Sequence, residues 1–150
     1  MDLVHCIFFF DFSRSFRTIG DEIFMQAFES TSMPFELWTH EAHLRMAWNY
    51  ITQHGQQDAT PLIKQGILRL NEKNKDKIKY GYSETITMFY IHVLTKAILS
   101  MPSEHSFEDF LKCHKYLTDS SFIAQYYSSK VLENPESKVR FFEPDRAALT

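Results

Sequence analysis

His40-Glu41-Ala42-His43-Leu44-Arg45-Met46-Ala47-Trp48-Asn49-Tyr50-Ile51-Thr52-Gln53 is the stretch that decides the fold. Leu44, Ala47, Trp48 and Ile51 fall at i, i+3, i+4 and i+7, the period of a helix with one inward face. Thr39 precedes it, where a hydroxyl can accept from the free N–H groups of a first turn. His54-Gly55 closes it, glycine being the residue that tolerates a helix C-terminus best.

The same period recurs outward from this segment. Toward the N-terminus, Ile23, Phe24, Ala27 and Phe28 predict a helix over about Asp21–Ser30, ended by Ser30-Thr31-Ser32 and Pro34. Toward the C-terminus, a helix over about Ala59–Lys73 has Pro61 in its first turn and Leu62, Ile63, Ile67, Leu68 and Leu70 mostly inward. Asn74–Tyr82 is a polar, lysine-rich connection, read as solvated. Ser83 or Gly81 introduces the longest helix, about Glu84–Met101, with Ile86, Phe89, Tyr90, Val93, Leu94, Ala97 and Ile98 as its apolar stripe and Pro102 as its stop. Ser106 caps a helix of about Phe107–Tyr116, and a short one follows at about Ser120–Tyr127. Ser128 caps a turn to Leu132, and Asn134-Pro135 opens a last helix to about Phe141. The expectation is an all-α, irregular bundle of six or seven helices. Residues 21–150 form its single domain and 1–20 an N-terminal extension or arm.

Composition points the same way. Four Gly and five Pro in 150 residues are too few for a many-turned β-sandwich or barrel. With 44% apolar and 23% charged residues the chain is globular in type, and 23 aromatics supply a bulky core. A net charge of −3 argues against an electrostatically driven nucleic-acid binder. Cys6 and Cys113 lie far apart with no CxxC, the pattern of reduced thiols in a cytosolic protein. Leu3–Phe10 is mostly apolar, but Asp2 precedes it, His5 interrupts it and Arg14 follows, which speaks against an export signal. It is also too short to span a membrane, so no membrane partner is expected.

Chemistry concentrates at two helix starts. His40 and His43, at i and i+3, share the helix face that carries Leu44, Ala47 and Trp48 inward. Two imidazoles entering a core need partners, since a buried unpaired polar group costs about 1–3 kcal/mol. A divalent metal is one such partner; carboxylates, tyrosines or backbone carbonyls are others. Glu84 opens the longest helix, where the dipole alone favours a carboxylate. Thr85 and Thr87 are explained equally well by back-bonding to a carbonyl. Arg45 at i+4 from Glu41 reads as an ion pair, with an anionic ligand as the other possibility. No GxGxxG, P-loop, GxSxG or HExxH occurs.

Trp38-Thr39-His40-x-x-His43-Leu44-Arg45, Tyr82-Ser83-Glu84-Thr85-x-Thr87, Tyr126-Tyr127-Ser128 and Phe142-Glu143-Pro144-Asp145 together resemble a family of small uncharacterised bacterial proteins. That family shares a THxxHLR-like block, a (H/S)ET block and an EPD-like tail, and the likeness spans about Ile23–Leu149. It implies a cytosolic helical domain and directs attention to His40, His43 and Glu84, with no assigned reaction attached. It also implies a histidine in many relatives at the position of Ser83, an imidazole this chain lacks.

The functional expectation is a small-molecule enzyme or binding protein with a pocket where His40, His43 and Glu84 converge. There the histidines bind a divalent metal or act as acid–base groups, and Glu84 is the third ligand or base. The alternative is a non-enzymatic interaction domain in which these residues form a structural hydrogen-bond network.

Overall fold

The structure is a computed structural model and describes residues 19–150. Expectations for Leu3–Phe10 and for residues 1–20 as an arm therefore fall almost wholly outside the described residues. Within them the chain is all-α, with no strand. The helices are α1 (Asp21–Glu29), α2 (His40–Lys73), α3 (Glu84–Leu99), α4 (Phe107–Cys113) and α5 (Ser129–Leu132). Short 3₁₀ turns intervene at Phe35–Leu37, Lys115–Thr118, Phe122–Gln125 and Pro135–Lys138.

Among the described residues there are five α-helical elements, against the six or seven helices expected, and the differences are local. The two helices expected on either side of Gly55 are present and follow one another without a loop, so they are two arms of one element, α2, with Gly55 non-helical between them (φ 79°, ψ 165°). That positive φ costs glycine nothing and strains any other residue, so the first arm ends at Gly55, as the sequence indicates, and this residue sets the angle between the two arms. The second arm begins just after Gly55, which moves Pro61 from a first turn into the helix proper. Near the C-terminus, the segments expected as helices at Ser120–Tyr127 and Asn134–Phe141 tighten into single 3₁₀ turns. Too few residues lie between their polar caps to propagate an α-helix.

The caps are as the sequence indicates. Thr39 accepts from the Ala42 N–H, Ser83 from Ile86, Ser106 from Asp109, Ser128 from Val131 and Asn134 from Glu136.

The first arm of α2 is the centre of the molecule: every residue from Leu44 to Ile51 is buried. The second arm buries only Ala59, Ile63, Gly66 and Leu70, a single stripe facing α3 and α1. Leu62 and Leu68 are exposed, contrary to the expected inward run, because they lie off that stripe. Phe89 of α3 gathers the rings of Tyr90, Phe122, Tyr126 and Tyr127 at 5.1–6.1 Å. Among the described residues no helix is long and apolar enough to cross a membrane.

The C-terminal tail is tied to the start of α3. The Phe142 N–H donates to Thr85 Oγ1 (3.1 Å), and that hydroxyl donates to the Arg140 carbonyl (3.0 Å). Asp145 accepts from the Ser128 N–H at 2.8 Å and Tyr127 donates to the Phe142 carbonyl at 2.7 Å. The EPD stretch thus locks the tail against α5 and the core, and Thr85 bonds the tail rather than its own helix.

Candidate functional site

A cavity of about 340 Å³ lies between the two arms of α2 and the first half of α3. Aliphatic groups from Leu44, Ala47, Ile63, Ile67, Ile91 and Leu94 make most of its wall. Its polar lining is His40, His43, Thr87 and Tyr90. Among the described residues that line it there is no Asp, Glu, Lys or Arg. The Gly55 bend makes this possible, because a straight α2 could not bring Leu44 and Ile63 to face the same stretch of α3.

The helical spacing that pairs His40 with His43 holds in the structure, and both line the cavity. His40 Nε2 is 2.7 Å from the Leu117 carbonyl, and His43 Nδ1 is 2.7 Å from the Thr39 carbonyl. A carbonyl only accepts, so each of these nitrogens carries the proton. In the neutral rings His40 Nδ1 and His43 Nε2 then hold the lone pairs, and neither bonds a protein group among the described residues.

The two rings are held differently. His43 stacks on Trp38 (centroids 3.7 Å apart, planes at 30°), and Trp38 stacks in turn on Phe28 (5.2 Å, 28°). His40 meets the Tyr90 ring edge-on at 5.4 Å. Burial pushes the His43 pKa down to about 4; the Thr39 bond opposes this and the nearby His40 adds to it. His43 is therefore a neutral imidazole at physiological pH.

Tyr90 brings the least expected feature. Its hydroxyl oxygen is fully buried and has no hydrogen-bond partner among the described residues. Burial, with Asp119 nearby, pushes its pKa up to about 12, so it is present as the O–H.

Glu84 does not join the histidines at the cavity wall. One carboxylate oxygen pairs with Lys64 of the second α2 arm, and the other accepts from the Tyr82 hydroxyl at 2.7 Å. Burial works to raise the Glu84 pKa, but the bonds from Lys64 and Tyr82 and the charge of Lys64 outweigh it and hold the carboxyl below its usual range. Among the described residues no three His, Cys, Asp or Glu side chains are grouped so as to hold a metal ion. Two imidazole nitrogens remain as the donors that the expected metal site would use.

Other expectations resolve plainly. Arg45 does not depend on Glu41 for a partner: it pairs with Asp21 of α1 at 2.9 Å and lies over the Phe24 ring. His105 and His114 are half-buried, and the Trp48 indole donates to His105 Nε2 at 3.1 Å. Tyr90, Thr87, Trp38 and Lys64 were not singled out for the site by sequence. The usable signal was Tyr90 itself, a hydroxyl on an inward helical stripe that must find a partner or a use. A larger cleft of about 630 Å³ near α1 and α4 is lined in part by Asp21 and Arg45, which are already bound to each other, and it borders Ile19, the first described residue. Among the described residues that line it, no buried side-chain nitrogen or oxygen lacks a partner. Comparison of the chain with protein-family models, with curated proteins and with solved structures returns no match.

Proposed function

We propose that this protein binds a small organic molecule in the cavity between α2 and α3, with His40 and His43 as the groups that recognise it. The observation that carries this reading is the shared arrangement of the two imidazoles. Each is fixed through one nitrogen by a backbone carbonyl and keeps the other nitrogen without a protein partner. A few fixed polar groups in an otherwise apolar concavity are the usual construction of a small-molecule site, and 340 Å³ lies at the small end of the range of about 300–1,000 Å³ for such sites.

The chemistry favours binding before catalysis. A general base works best with a pKa near the operating pH, and His43, at about 4, is a steady acceptor and a weak base. Acid–base chemistry here would draw on His40 and His43 as the titratable groups of the cavity wall, with Glu84 assisting from a distance by holding the start of α3 to Lys64. The same two nitrogens are what a divalent metal would use, with the remaining ligands supplied by water or substrate.

The competing reading, a structural hydrogen-bond network in an interaction domain, draws on the Leu117 and Thr39 bonds. Ligand-detected NMR against a library of small neutral compounds separates the two. The binding reading expects hits with the wild type that disappear in Ala47→Phe, which fills the cavity, and weaken in His43→Phe, which keeps the Trp38 stack and removes both nitrogens. No hit in the wild type, or hits untouched by Ala47→Phe, would leave the network reading in possession.

A further inference from the structure

Resting on that reading of the cavity, we propose that its ligand is an uncharged aromatic molecule bearing an N–H group, an arylamine or an indole-like heterocycle, that donates to His43 Nε2, with His40 Nδ1 as a second acceptor. The cavity wall is rich in acceptors and holds its donors back. Both imidazole N–H groups are spent on the carbonyls of Leu117 and Thr39. The Tyr90 hydroxyl is fully buried and out of a ligand's reach. The Thr87 hydroxyl is a hydrogen-bond partner of the Tyr82 phenol, which itself donates to Glu84, so Thr87 is the donor there. His43 Nε2 and His40 Nδ1 remain, without a protein partner among the described residues. The fully buried unpaired side-chain atoms there are Trp38 Nε1 and Tyr90 Oη, so both imidazole nitrogens keep accessible surface, on residues that line the cavity.

Such a wall selects its ligand. A carboxylate or phosphate has no proton for the imidazoles and finds no cation among the described residues of the wall. A cation meets the same burial that keeps His43 from becoming one. An alcohol, a phenol or an amide supplies a donor but brings an oxygen that needs one, and burying that oxygen unpaired costs binding. In an arylamine or an indole the nitrogen lone pair is drawn into the ring, so the group donates and needs no donor in return. The aliphatic side chains of Leu44, Ala47, Ile63 and Leu94 suit the ligand's apolar body.

The test is equilibrium dialysis at neutral pH, with EDTA present, of two probe sets: indole and benzothiophene, then p-toluidine, p-xylene, p-cresol, 4-methylbenzylamine and 4-methylbenzoate. Within each set the body is shared and the polar group changes. Wild-type protein is expected to bind indole about tenfold more tightly than benzothiophene, and p-toluidine about tenfold more tightly than the other four, the order expected for one hydrogen bond to a group otherwise left unpaired. His43→Phe, which keeps the Trp38 stack, should bring indole and benzothiophene to within about twofold of each other. In wild-type protein labelled with 15N-histidine, the His43 Nε2 resonance should move upfield with indole and stay in place with benzothiophene, a readout that depends on no variant's folding. Equal binding within a set, p-cresol or either ion binding as tightly as p-toluidine, or a His43 Nε2 resonance unmoved by bound indole would overturn the N–H assignment while the cavity reading stands. Absence of binding by all seven compounds, or binding that survives Ala47→Phe, would overturn both.

Discussion

The Trp38 indole lies against the His43 imidazole with ring centroids 3.7 Å apart, and this contact is part of why His43 stays neutral. Covering one face of the ring removes water that would otherwise solvate an imidazolium, and burial is the largest influence on this group. Phe28 also stacks on Trp38, so contacts among three rings, from α1 to α2, help set the His43 position.

A pH dependence follows with a definite sign. The folded pKa of about 4 lies below the unfolded value of 6.5, so between these values the unfolded chain binds more protons. The stability associated with neutral His43 is therefore complete above about pH 6.5 and lost as pH falls toward 4, by roughly 3 kcal/mol at most. Urea unfolding of wild type and His43→Gln from pH 7 to 4 reads this as a difference, since the other carboxylates and histidines titrate in both. A difference that does not change over that range would show that His43 keeps an ordinary pKa.

Gly66 is where the same stack meets the second arm of α2. A Cβ added there would overlap Cε1 and Cζ of Phe28, a fully buried ring held between Trp38 and Tyr50. Gly66→Ala should improve helix propensity by roughly 1 kcal/mol in isolation, yet overpacking of about 1–3 kcal/mol should outweigh the gain. Denaturant unfolding is expected to show net destabilisation, and Phe28→Leu in the Gly66→Ala background should cost less than Phe28→Leu alone. Additive effects of the two changes would mean that the ring moves aside freely.

The helices were legible in sequence where a capping side chain opens a long apolar stripe, as at Thr39 and Ser83, and the two-turn helix after Ser106 was legible by its cap. Gly55 was legible as the end of the first arm; that the second arm starts directly after it, several residues before Ala59 and with no loop between, was not. The histidine pair was legible because i, i+3 spacing is a local property. The fate of Glu84 was not, since it depends on Lys64, twenty residues away on an arm whose direction Gly55 sets. Tyr90 was placed on the correct face, but a missing partner can be recognised only when every neighbour is known.

Trp48 tests the central position of α2. It is 6% exposed, donates to His105 and packs against Phe107 at 5.6 Å. Trp48→Ala should cost about 3–5 kcal/mol through lost burial and a cavity, measured by chemical denaturation. Trp48→Phe keeps most of the apolar surface and loses the His105 bond, so it should cost about 1–2 kcal/mol. Equal losses in the two variants would assign Trp48's contribution to the hydrogen bond and not to packing.

The Lys64–Glu84 pair tests how the two walls of the cavity are joined. Its side chains are 28% and 21% exposed, so the pair stands between surface ion pairs, worth at most about 1 kcal/mol, and buried ones, whose disruption costs about 3–5 kcal/mol. Lys64→Met is expected to cost about 1–2 kcal/mol at pH 7 and to leave Glu84 bonded only through Tyr82. The sign with pH is opposite in origin to an ordinary exposed carboxylate's indifference. The Glu84 pKa is lowered in the folded chain, so its stabilisation is present above the unfolded carboxylate pKa and disappears as pH falls through the folded one. Wild type should therefore lose its advantage over Lys64→Met under strongly acidic conditions, and Glu84→Gln should show the same convergence. A gap between wild type and Lys64→Met that persists after Glu84 is protonated would mean that Lys64 holds the second α2 arm by packing its aliphatic stem, and that charge does not clamp α2 to α3.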